Sequence, residues 1–183
     1  MDQPTDNLRL GAGRHLALLA HDGWEYVTRT NGRGVVGVVA LTPAREVLLV
    51  EQYRPPVGCR VLELPAGLVA DAREETVLEA ASRELYEETG YRAPDDRLHW
   101  LMRAPSSAGL TDEVVELVLA RDVTRCGPGG GVDGERIELL VVPLDELDGV
   151  LEQRAAKGVH VDLKVRLVPL VAGASNRDPE VSR

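Results

Sequence analysis

The sequence predicts a mixed β-sheet covered by helices, an α/β (α+β) fold, and three observations carry that expectation. The chain has 183 residues, enough for one domain with a proper core. From residue 14 to residue 173 apolar runs and turn residues follow one another without a linker or an internal repeat. Within that span β-rich runs alternate with helical stretches, but not in the regular rhythm of a parallel βαβ fold. Aromatic residues make up only 3% and Phe is absent, so Val, Leu and Ala must build the core.

The elements follow in chain order. Residues 1–13 and 174–183 are polar, rich in Gly, Pro, Asp and Ser, and are expected to fray. The runs HLALLA and WEYVTR, joined through His21-Asp22-Gly23, read as a hairpin with a D-G turn. VVGVVALT and EVLLVEQYR, joined by Pro43-Ala44-Arg45, have the apolar density of buried strands. A short strand, RVLEL, leads into Pro65-Ala66-Gly67 and a loop. The next helix is expected to start at Asp71, with Glu74 in capping-box position, and to seat a stripe of Leu78, Ala81 and Leu85 on the sheet. Gly90 is its natural stop. Strands return at RLHWLMR, EVVELVLAR and RIELLVVPL, with Gly127 to Gly134 as a flexible connection before the last. Two closing helices are expected near Leu144–Ala156 and Leu163–Val171.

The helix ending at Gly90 carries the chemistry. Glu84, Glu87 and Glu88 are spaced i, i+3, i+4 in its last turn and project from one face. The helix dipole favours cations at that end, and like charges four residues apart cost a further few tenths of a kcal/mol, roughly. An acidic run on a helix is ordinarily a solvated face, but acids gathered where both effects oppose them call for a cation. Three carboxylates without a neighbouring His or Cys suit a hard ion, Mg²⁺ or Mn²⁺, rather than zinc.

From Glu75, seven residues lead to Arg83-Glu84-Leu85-Tyr86-Glu87-Glu88, followed by Thr89, Gly90 and Tyr91. This resembles the Nudix box, G-x5-E-x7-R-E-U-x-E-E-x-G-U with U bulky and apolar. The match is complete from Glu75 to Tyr91. Ahead of it, Gly67 lies two residues further from Glu75 than the family spacing, and Arg73 stands where the family has its first Glu. A two-residue insertion in the loop Val69 to Arg73 accounts for both, since loops absorb length at little cost. The resemblance implies an α/β/α sandwich around a mixed sheet, in one domain spanning 1–183. It also implies hydrolysis of a nucleoside diphosphate linked to another group, with Glu84, Glu87 and Glu88 holding Mg²⁺ and Mn²⁺ as a possible substitute. Arg83 then orients a carboxylate; a plain surface pair with Glu79 or Glu87 is the other reading. Glu75 is expected to support rather than to ligate.

Flanking residues resemble the ADP-ribose pyrophosphatase branch of that family. Roughly sixty residues precede the box. The segments Val50-Glu51-Gln52-Tyr53-Arg54 and Glu63-Leu64-Pro65-Ala66-Gly67 look like that branch, in which the residue matching Arg54 contacts phosphate and the carbonyl matching Ala66 joins the metal shell. For Arg54 a strand-end surface role, and for Ala66 a simple turn, stand beside these readings. Pro105 falls where the branch carries a proline, and Ser107-Ala108-Gly109-Leu110-Thr111-Asp112-Glu113 resembles its loop S-P-G-x-[ST]-x-E, with Ala108 in place of the proline. Gly109 is thereby expected at the substrate and Glu113 as general base, a solvent-exposed strand-start carboxylate being its alternative. Trp24 is expected either to stack on adenine or to fill the Phe-free core. The branch further implies a homodimer, with the strands of residues 14–60 in its interface.

Composition bounds the alternatives. A net charge of −9 argues against a nucleic-acid polymer as partner. Cys59 and Cys126 match no metal spacing and no disulfide framework. No apolar run reaches the roughly 18 residues of a membrane span, and HLALLA is too short for a signal sequence, so a cytoplasmic setting is expected. The expected reaction is Mg²⁺-dependent cleavage of ADP-ribose into AMP and ribose 5-phosphate. Cleavage of another nucleotide sugar, such as a GDP-sugar, or of a dinucleotide is the second reading, and a non-catalytic ligand sensor the third.

Overall fold

The computed structural model describes residues 7–31, 34–70, 74–131 and 136–173. Three strands open the chain: β1 (Leu8–Ala12), β2 (Leu16–His21) and β3 (Trp24–Arg29), which form their own antiparallel sheet in that order. The expected fraying of residues 1–13 is therefore corrected at Leu8–Ala12, which is paired along its length to β2. The β2–β3 turn has positive φ at both Asp22 (47°) and Gly23 (81°), the backbone whose twist matches a two-residue hairpin. Trp24 at its end is 62% exposed, which rules out the core-filling role.

The remaining strands are β4 (Val35–Leu41), β5 (Glu46–Arg54), β6 (Cys59–Glu63), β7 (Ala66–Leu68), β8 (Tyr91–Arg92), β9 (Leu98–Pro105), β10 (Val114–Ala120), β11 (Thr124–Arg125), β12 (Glu138–Pro143) and β13 (His160–Val161). The helices are α1 (Val77–Thr89), α2 (Leu147–Ala156) and α3 (Val168–Ala172), the last continuing a 3₁₀ turn at Leu163–Leu167. Eight strands make the main sheet, ordered β13-β6-β5-β4-β10-β9, with β12 on β5 and β7 on β4. The pairs β4–β10 and β6–β13 are parallel and the others antiparallel, so the sheet is mixed as predicted. Pro65-Ala66-Gly67, read as a strand exit into a loop, instead starts β7, with Ala66 opposite Gly37.

Period-two alternation sorts the side chains onto two faces. Val39, Leu41, Val47, Leu49, Leu117 and Leu119 point toward α2 and α3, where they meet Leu147, Leu151 and Val168. Val36, Val38, Ala40, Leu48, Val118 and Ala120 point toward α1, where they meet Ala80, Ala81 and Leu85. Full burial of a leucine such as Leu85 contributes about 1.5–3 kcal/mol. One charged group enters the α2 side. Glu51, 2% exposed, pairs with Arg60 at 2.5 Å and with Arg154 of α2 at 2.8 Å.

Helix α1 starts later than Asp71, which lies outside the described residues. Thr76 is the N-cap: its hydroxyl accepts the Glu79 N–H and Glu79 accepts the Thr76 N–H, a complete capping box. Thr76 with Glu79 repeats the three-residue spacing of Asp71 with Glu74, and the helix takes the later start. The buried stripe is also corrected. Ala80 joins Ala81 and Leu85, whereas Leu78 is 36% exposed on the rim. Alanines at 80 and 81 let the helix axis come close to the sheet. The α2 helix begins at Leu147 rather than Leu144.

The glycine-rich connection is ordered where it is described. Gly130 N–H donates to Glu88 O (2.8 Å), Gly131 N–H to Glu87 O (3.0 Å), and Cys126 and Gly127 N–H both to Gly90 O. Residues 132–135 lie outside the described set.

Candidate metal and catalytic site

Strand β7 and the last two turns of α1 bring the acidic residues together. Pairing of β7 with β4 fixes Ala66 and Gly67 beside the helix. Glu88, 5% exposed, accepts the Ala66 N–H at 3.0 Å. Glu84 lies directly against Gly67, where a Cβ would stand 2.0 Å from its carboxyl carbon. Only glycine admits that carboxylate, which gives the position a physical reason.

Arg83 organises the rest. Its Nε and Nη2 reach the two oxygens of Glu75 at 3.1 and 2.7 Å, a two-bond fork. Nη2 also donates to Leu68 O (3.0 Å), and Nη1 to Glu84 Oε1 (2.7 Å) and Glu87 Oε2 (3.2 Å). Glu75 in turn accepts the Ala70 N–H. The hydrogen bonds it donates to Glu75 outweigh burial and, with Glu84, hold the guanidinium still more firmly protonated than usual. Neither a lone surface pair with Glu79 nor one with Glu87 describes this arginine: Glu79 is spent on the N-cap.

Three glutamates on one arginine, with Glu88 beside them, leave this cluster formally anionic. Among the described residues no three acidic, His or Cys side chains are already gathered as a metal cage. The donor chemistry still fits a hard cation: Glu84, Glu87 and Glu88 are oxygen donors on one helix face, beside the Ala66 backbone. A cavity of about 680 Å³ opens on the outer side of α1, walled by Arg83, Tyr86, Glu87, Arg92 and Leu98. Glu84 and Glu88 face away from it, toward β7.

Other predicted residues form separate groups. Glu113 pairs with Arg29 of β3 at 2.5 Å. Its loop is tied to the same strand through Val27 N–H to Leu110 O (2.9 Å) and the Thr28 hydroxyl to Asp112 (2.8 Å). Arg54 forms a two-bond pair with Glu63, at 2.8 and 3.2 Å. Gly109 is exposed, with open space where a Cβ would be, and Trp24 is exposed at its hairpin turn. Sequence reasoning missed Arg29, whose partner is 84 residues away with no shared pattern. It missed Glu63 as partner of Arg54, though both were noted. It also missed the contact between Gly67 and Glu84, for which the glycine itself was the signal.

Residues 32–161 match the family model described as NUDIX domain. The chain is 34% identical over 169 residues to a Mus musculus ADP-sugar pyrophosphatase, covering 85% of this chain and 76% of that protein. It is 35% identical to a Bacillus methanolicus methanol dehydrogenase activator and 32% identical to a Bacillus subtilis ADP-ribose pyrophosphatase. Each of those two matches covers 66% of this chain and spans 64% of the relative's own length. Among solved structures, a crystal structure of an ADP compounds hydrolase shares the fold at a TM-score of 0.62 and 22% identity, covering 83% of this chain and 84% of that one.

Proposed function

The chain belongs to the NUDIX domain family, and from that premise we propose a Mg²⁺-dependent pyrophosphatase that splits ADP-ribose into AMP and ribose 5-phosphate. The observation that carries the reading is the cluster at the end of α1, where Arg83 braces Glu75, Glu84 and Glu87 and the Ala66 N–H holds Glu88. Glu84, Glu87, Glu88 and the Ala66 carbonyl hold the ion in this proposal. Members of the family typically use a divalent metal; bound here, Mg²⁺ or Mn²⁺ would neutralise the diphosphate oxygens and acidify a water. Arg83 keeps the carboxylates oriented, which ordinarily matters to metal affinity by roughly 10- to 100-fold.

Glu113 is the proposed general base. It takes the proton of the attacking water as the new P–O bond forms and the anhydride P–O bond breaks. Arg29 fixes its carboxylate before substrate arrives. Arg54 stands on the same sheet face as α1 and is assigned to phosphate, its fork shared with Glu63. Gly109 leaves room for substrate in the Glu113 loop, and Trp24 offers an exposed ring to the base. Support for an ADP-linked substrate comes from the mouse and B. subtilis relatives. The exposed Leu8, Leu10, Leu16 and Leu18 of the N-terminal sheet support a homodimer. No described helix is long and apolar enough to cross a membrane.

A chromatographic screen of ADP-ribose, GDP-mannose, NADH and dATP, each with Mg²⁺ and with EDTA, tests the proposal. AMP released from ADP-ribose in preference to the others, and only with metal, is the expected result. Preference for GDP-mannose keeps the acidic site and overturns the substrate. No turnover of any points to a ligand sensor.

A further inference from the structure

The last turn of any helix leaves carbonyl groups without intrahelical partners and a partial negative charge. In α1 that end also carries Glu84, Glu87 and Glu88, so side-chain charge adds to the negative end of the dipole. Its local C-cap supplies one bond, Gly90 N–H to Tyr86 O. The other donors arrive from some forty residues further along. Gly130 N–H meets the Glu88 carbonyl, Gly131 N–H the Glu87 carbonyl, and Cys126 and Gly127 N–H converge on Gly90 O. Pairing of β8 with β11 delivers this segment to the helix end, and Arg125 braces it through the carbonyls of Gly127 and Pro128.

The residue types follow from backbone touching backbone. A Cβ on Gly129, where φ is +67°, would lie 2.4 Å from the Thr89 carbonyl carbon. One on Gly90 would lie 2.3 Å from Gly127 O, and one on Gly127 would stand 2.8 Å from the Tyr86 ring. The composition that reads as flexibility in the sequence is thus close contact in the fold.

We propose that Gly127–Gly131 is a positioning hook: its N–H groups fix the backbone from which Glu87 and Glu88 project, and so set the affinity of the acidic site for its cation. The inference rests on the assignment of Glu84, Glu87 and Glu88 as cation ligands. The two can fail separately.

The test is Mn²⁺ titration, read as free Mn²⁺ by electron paramagnetic resonance, alongside kcat, KM and Tm for the full chain. Gly129→Ala is expected to weaken the Mn²⁺ Kd and lower kcat by roughly 10- to 100-fold, the usual effect of disturbing what orients a ligand, with KM little changed. Gly127→Ala, whose added Cβ would meet only Tyr86 side-chain atoms as its three nearest neighbours, is expected to do the same more weakly. Combining it with Tyr86→Ala is expected to return the Kd to that of Tyr86→Ala alone. Wild-type Kd and kcat in both glycine variants, with only Tm lowered, would overturn the hook and leave a plain helix stop. Should Gly129→Ala fail to fold, the Gly127 pair decides by the same criteria. Glu84→Gln separates the two ideas: wild-type Mn²⁺ binding in that variant overturns the ligand assignment and the hook with it, whereas lost binding leaves the glycine variants to judge the hook alone.

Discussion

The two faces of the eight-stranded sheet are closed by different residues. Toward α2 and α3 every buried member of the cluster is Val or Leu. Toward α1 the cluster includes Ala40, Ala80, Ala81 and Ala120. Large side chains hold a helix away from the sheet and fill the space, which serves stability. Small ones let α1 approach closely enough for Glu84 to press on Gly67 and Glu88 to take a backbone N–H from β7. Each face also buries one glutamate. Glu51 is matched by two arginines, Arg154 and Arg60, the latter also reaching Glu138 at 3.2 Å. Glu88 is held by a backbone dipole in a cluster where acids outnumber the arginine. One face balances its buried acid with arginines, and the other leaves acids in excess of its arginine.

That contrast can be broken most decisively at α1. Glu84→Gln and Glu88→Gln should each lower kcat more than roughly 100-fold, beyond what loss of a supporting contact costs. Melting should be unchanged or slightly raised, because like-charge repulsion worth a few tenths of a kcal/mol, roughly, is relieved. Wild-type turnover in Mg²⁺ by either variant removes α1 as the reactive face. Glu113→Gln should lower kcat about 100-fold at constant KM, the scale of a general base; steady-state kinetics showing a KM effect instead would assign it to binding.

The matching change on the other face should behave in reverse. Glu51→Gln removes the buried carboxylate shared by Arg60 and Arg154, at a cost of about 2 kcal/mol, below the full penalty for a buried pair because both arginines remain partly wet and Arg60 keeps Glu138. Urea titration should show the lost stability, and kcat of the folded enzyme should not move. A fall in kcat with no loss of stability would erase the distinction between the two buried acids. The smallest effect belongs to Thr76→Ala. Removing the cap of α1 should cost about 1 kcal/mol with kcat nearly intact, since the acids sit roughly two to three turns away. A large kcat loss there would mean that the helix is held from its start and not from its end.

Much of the architecture was legible because it rests on local patterns. The alternation in VVGVVALT and EVLLVEQYR places β4 and β5 between two layers, and the D-G turn fixes the first hairpin. The run from Glu75 to Gly90 announces its helix, its stop and its acids by spacing alone. The helix start was harder, since Asp71 and Thr76 both head a capping-box spacing and local pattern does not choose between them. Leu78 fits the stripe by periodicity, yet it is 36% exposed and lines the cavity outside α1.

The sequence by itself determined which acidic groups stand together: carboxylates at i, i+3, i+4 share a face wherever the helix is put. Tertiary structure alone decided what those groups touch. Arg29 reaches Glu113 across 84 residues, Gly67 makes room for Glu84, and the glycines at 127–131 close on the end of α1. Periodicity reports only on neighbours within a turn or a strand. Contacts between distant segments depend on how sheets and helices stack, and no local pattern records which backbone will arrive at a given carbonyl.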